Sequence, residues 1–129
     1  MMHGAKSVLA VVALVVVSAG LTFAHHGLSA YDEKNPITLK GTVTEFEWSN
    51  PHSQIYFDVK DDKGNVTHWA CETLNPARLL RAGWSRHSLN PGDQITISLI
   101  AAKNGAPVGF LRKLVLADGT ELGVSQREQ

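Results

Sequence analysis

The chain has a single cysteine, Cys71, in 129 residues, so no internal disulfide can form and no framework of bridges defines the fold. Excess charge is also lacking. Twelve Lys and Arg stand against twelve Asp and Glu, which excludes the broad basic surface that a phosphate backbone requires and argues against a nucleic-acid partner. No HExxH, CxxC, P-loop or GxSxG pattern is present, nor any internal repeat or low-complexity segment, so the sequence reads as a non-enzyme. Only one apolar run stands out, Val8 to Val17, and it falls short of the roughly 20 residues that a bilayer-spanning helix needs. At 14.0 kDa there is room for one domain.

What is present begins with an address. Residues 1–24 combine a positive charge at Lys6, the apolar run, and small or neutral residues closing at Thr22, Phe23 and Ala24, the three-part layout of a secretory signal peptide. Cleavage after Ala24, with Ala19 and Gly20 as alternative points, sends the protein to the periplasm or outside the cell. It leaves no membrane span and starts the mature chain at His25.

Residues 25–36 are polar, with isolated Leu28 and Tyr31, and read as an arm. Residues 37–129 read as one β domain with a short C-terminal tail. Ile37 to Trp48 alternates, with Ile37, Leu39 and Val43 on one parity and Phe46 and Trp48 on the other, which calls for a bulge or bend near Gly41. After the turn at Ser49 to His52, Gln54 to Val59 alternates again, and a turn at Asp61 to Asn65 leads into Val66 to Glu72. Asn75 and Pro76 start a short helix that Gly83 stops. Gln94 to Ala101 and about Phe110 to Leu116 complete the set. The order β-β-β-α-β-β with a long, bent first strand predicts a small five-stranded barrel of the oligonucleotide/oligosaccharide-binding (OB) type, mainly β.

The chemistry centres on histidine. A mature chain starting at His25 presents an imidazole and a free α-amine on one residue, with His26 directly after it. The reference pKa of an α-amine is about 7.7 to 8.0 and that of imidazole about 6.5, so both can give up protons to a metal near neutrality. Nitrogen donors of this kind suit Cu(II) ahead of Ni(II) and Zn(II), which makes copper the expected ion. Further ligands must come from His26, His52, Asp32 or His87. His52 occupies the loop between strands one and two, and the arm from His26 to Ile37 can extend at most about 36 Å, enough to reach it by running back along strand one. The competing reading of the His pair is a solvated start to an arm, and that of His52 a turn residue bonding its own loop.

Other residues carry bland expectations. His68 and Cys71 are three apart in a strand and face opposite ways, so Cys71 is a buried hydrophobe rather than a nucleophile. His68 and His87 are surface polar residues. Trp48, Trp69 and Trp84 read as core and barrel plugs ahead of a stacking platform.

The sequence resembles a family of small exported bacterial proteins known only as a domain of unknown function (family 6152). The shared features are the His25–His26 pair with Tyr31 and Asp32; Gly41 to Val43; Trp48 to His52; Trp69, Glu72, Asn75 and Pro76; Leu80, Arg81, Gly83 and Trp84; and Leu89 with Pro91 to Asp93. Cys71 departs from the larger apolar residue usual there. The resemblance implies export and a compact β domain, and it directs attention to His25, His26 and His52 without implying an activity. The expectation is a periplasmic metal-binding β domain with those three histidines as ligands, its candidate partners being a divalent metal ion and an unidentified periplasmic protein or small ligand. The alternative is a protein-, peptide- or glycan-binding module without metal.

Overall fold

Alternating apolar residues on the first strand decide the architecture, because one strand serves two neighbours. The computed structural model describes residues 27–125. Strand β1 (Ile37–Glu47) pairs antiparallel with β4 (Gln94–Ala101) through its first half and with β2 (Gln54–Lys60) through its second, Thr42 facing both Gln94 and Asp58. β2 pairs antiparallel with β3 (Val66–Glu72), and β4 with β5 (Val108–Leu116). A parallel pairing of Ala70 to Glu72 with Val108 to Phe110 closes the barrel. The β1–β2–β3 meander, the β4 contact to β1 and the β3–β5 closure give the OB topology that the order of elements predicted.

The bend lies slightly beyond its expected place. The register shift falls between Val43 and Glu45, so Val43 and Phe46 both reach the interior from positions of opposite parity. Gly41 has another role: a Cβ there would sit 2.6 Å from the Asp58 carbonyl oxygen and 2.8 Å from the Phe57 ring, so its bare Cα is what lets β1 and β2 approach.

The core is the inward parity of every strand, including Val43, Ile55, Phe57, Cys71, Ile97, Leu99, Leu111 and Leu114. Helix α1 (Pro76–Arg81) begins where the Asn75 side-chain oxygen accepts from the Arg78 amide at 2.9 Å, with Pro76 in the first turn. It buries Leu79 and ends at Gly83, whose φ of 93° only glycine adopts freely. Trp84 follows, 2% exposed, its ring against Phe46, and its indole N–H donates to the Gly123 carbonyl at 2.8 Å. That bond secures a sixth strand, β6 (Glu121–Gly123), which pairs with β5 inside what the sequence suggested was a tail. Trp48 and Trp69 are half-buried against the same core, so all three tryptophans serve packing. No helix among the described residues is long and apolar enough to cross a membrane.

Candidate functional site at one end of the barrel

The β1–β2 loop is stitched to the chain leaving β3. Ser53, fully buried, donates its amide to the Leu74 carbonyl at 3.0 Å and accepts from the Thr73 amide at 2.9 Å, while the Ser49 hydroxyl donates to the His52 carbonyl at 3.0 Å. The Asn50–Pro51 peptide within the loop is cis. These bonds hold the His52 ring beside β3. Its Nδ1 lies 2.8 Å from the Thr73 carbonyl oxygen and 3.4 Å from Oε1 of Glu72. A carbonyl oxygen only accepts, so Nδ1 carries the proton; in the neutral ring the lone pair then resides on Nε2. The His52 side chain is 44% exposed, and Nε2 makes no hydrogen bond among the described residues. His52 therefore bonds across to the chain leaving β3 in addition to its own loop.

The arm arrives at the same place by an unexpected route. It does not run back along β1. It continues past the start of that strand to the end of β4: Tyr31 bridges to Ala102, the Asp32 amide donates to Ala101 at 2.8 Å, and the Lys103 amide donates to Ala30 at 2.9 Å. A 3-10 turn, Leu28–Ala30, precedes this contact. The Tyr31 hydroxyl then donates to Oε2 of Glu72 at 3.1 Å. Burial, together with the facing Glu72 carboxylate, pushes this phenol up to about 12, which keeps it a donor. Phe110 separates the two ends of the arrangement, tilted against Tyr31 at 6.3 Å and edge-on to His52 at 6.4 Å between centroids.

Glu72 thus joins the arm to the loop histidine, a role that reading the sequence for ligands missed. The available signal was its outward parity, directly after inward Cys71 at the end of β3. His25 and His26, the other expected ligands, lie outside the described residues. Asp32 is an unpromising ligand, because both its carboxylate oxygens face the Asn35 side-chain amide at 3.1 and 3.0 Å. His87 is exposed on the turn after α1, and His68 is exposed and paired with Asp58 at 2.5 Å. Cys71 is fully buried, and burial pushes its thiol far above the ordinary range. Among the described residues no three His, Cys, Asp or Glu side chains converge closely enough to hold a metal ion.

Residues 11–111 match the family of unknown function DUF6152. The chain belongs to that family. No curated protein matches it. Among solved structures, this DUF6152 chain is similar to a mitochondrial single-stranded DNA binding protein from S. cerevisiae, at 11% identity and a TM-score of 0.44, over 64% of this chain and 92% of that one. It is also similar to part of TiaS in a complex with a tRNA and ATP, at 17% identity and a TM-score of 0.42, over 67% of this chain but only 19% of that one.

Proposed function

We propose that this DUF6152 protein is an exported, non-enzymatic metal-binding module, in which His25 and His26 of the mature arm join His52 to hold a divalent ion, copper first. The observation that carries the reading is the fixed tautomer of His52. Its Nδ1–H is committed to the Thr73 carbonyl beside Glu72, and Nε2, which makes no hydrogen bond among the described residues, keeps its lone pair available to a metal. This is the outer-shell arrangement by which proteins orient a ligating imidazole.

The arm supports the same reading. Its bonds to β4 and to Glu72 fix Tyr31 at that end of the barrel, and Leu28 is only three positions after His25, a span of at most about 11 Å. The α-amine and ring of His25, a nitrogen of His26 and Nε2 of His52 would form the tetragonal nitrogen set that Cu(II) favours.

The test is a Cu(II) titration of the protein beginning at His25, of the same protein with one extra residue before His25, and of His52→Ala. Both changes should weaken binding by tenfold or more. Unchanged affinity in the extended form would remove the amine chelate, and unchanged affinity in His52→Ala would remove the barrel's share.

A second reading, a small polyhydroxylated ligand, is favoured by a cavity of about 520 Å³ on the outer face of β1 to β3. Tyr56, Glu45, Asp58 and His68 line it, offering one ring face and several hydrogen-bonding groups. Sugar binding that is lost in Tyr56→Ala and indifferent to His52→Ala would select this reading over the metal.

A further inference from the structure

Charge is segregated along the chain. From Thr73 to Gly92 there is no Asp or Glu, yet this stretch holds Arg78, Arg81 and Arg86, three of the four arginines among the described residues. The rest of the described residues carry eleven acids against seven Lys and Arg.

The fold turns this sequence bias into a surface. Leu79 faces the core, and at about 100° per residue Arg81 projects away from it with Arg78 and Leu80 on the two flanks. Arg86 is exposed on the turn that follows, which stays close to the helix because the Trp84 amide donates back to Leu79. None of these three guanidiniums has an ion-pair partner among the described residues. By contrast, Arg112 and Lys113 sit 3.7 and 3.5 Å from Glu33 and Glu121. Leu80, on the flank of Arg81 opposite Arg78, is 59% exposed and the most exposed large hydrophobic residue among those described.

From this juxtaposition we infer that α1 and the turn after it form a docking face for an anionic phospholipid bilayer, with the three arginines at phosphate level and Leu80 directed into the acyl boundary. Guanidinium groups bind phosphate oxygens in pairs and bend toward them along flexible apolar stems. A bilayer supplies both halves of the match, negative charge at the surface and hydrocarbon just beneath it. An acidic polypeptide would supply the charge but would also need a pocket for a leucine projecting from a helix of six residues. This face is separate from the His52 site and does not depend on a metal.

The test is co-sedimentation of the purified protein with vesicles of phosphatidylcholine alone or mixed with phosphatidylglycerol, at low and at raised salt. Binding should require phosphatidylglycerol and weaken with salt. It should fall about five-fold for each of Arg78→Gln and Arg81→Gln, and it should also fall in Leu80→Ser. All three positions are exposed, and near-UV circular dichroism verifies that each variant is folded. Equal binding to both vesicle types, or binding indifferent to the arginine changes, would overturn the inference. So would retention on a polyglutamate matrix through the same arginines without vesicle binding, which would assign an acidic protein partner instead.

Discussion

Tyr31 and His52 meet the same carboxylate: Glu72 accepts the Tyr31 hydroxyl on one oxygen at 3.1 Å and presents the other 3.4 Å from Nδ1 of His52. Removing the phenol should loosen the arm while leaving the barrel intact. In Tyr31→Phe the amides of Asp32 and Lys103, which bond across the arm contact, should exchange with solvent about tenfold faster, as the loss of a hydrogen bond to a charged acceptor implies. Amides in β2 should be unaffected. Hydrogen exchange followed by NMR checks both.

The same pair sets an alkaline limit. The Tyr31 phenol of the folded protein stays protonated up to about 12, while tyrosine in the unfolded chain ionises near 10. Its contribution to stability is therefore complete below about pH 10. It is lost as the pH rises toward 12, because the unfolded state releases a proton that the folded state retains. Urea midpoints across this range should drop less in Tyr31→Phe than in the parent, and ultraviolet titration should show the ionisation directly.

Cys71 should be chemically silent in the folded protein. It is fully buried, and burial followed by the neighbouring Glu72 charge suppresses its thiolate. A thiol reagent such as iodoacetamide should modify it only in denaturant, and adding Cu(II) should not change that.

Thr73 combines a useful carbonyl with an orphaned hydroxyl. The carbonyl accepts from His52, but the fully buried Oγ1 has no hydrogen-bond partner among the described residues. Thr73→Val should raise stability by about 1 kcal/mol, since it removes the unpaired group at nearly constant shape. Copper affinity should stay the same because the carbonyl remains. Chemical denaturation and the Cu(II) titration read the two effects separately.

Trp84 should be the costliest single position. Trp84→Ala opens a cavity under α1 and frees β6 from its bond at Gly123, a loss of about 3 to 5 kcal/mol that a denaturant midpoint would register.

Local rules made much of this fold legible. The parity of Ile55, Phe57, Val66 to Glu72 and Ile95 to Leu99, together with the Asn75–Pro76 start and Gly83 stop, places all the elements of the barrel in order. β6 escaped because three residues after a turn carry no period, and burial of Leu122 with the Trp84 bond is what recruits them. Gly41 draws the expected bend toward itself because glycine marks both bends and close approaches, and sequence does not separate the two. At the site, His52 was visible as a loop histidine, but its tautomer depends on a carbonyl 21 positions away in the chain. Glu72 was legible as a residue of the family pattern and by its outward parity, but its role was not, since its two partners come from the arm and the β1–β2 loop and are brought to it by barrel closure.

The most direct measurement is electron paramagnetic resonance of the Cu(II)-loaded protein starting at His25, compared with His52→Ala. The expected spectrum is axial with nitrogen couplings, and loss of the His52 ring should reduce the number of coupled nitrogens by one and shift the copper hyperfine splitting. Identical spectra from the two proteins would contradict a site shared between the arm and the barrel.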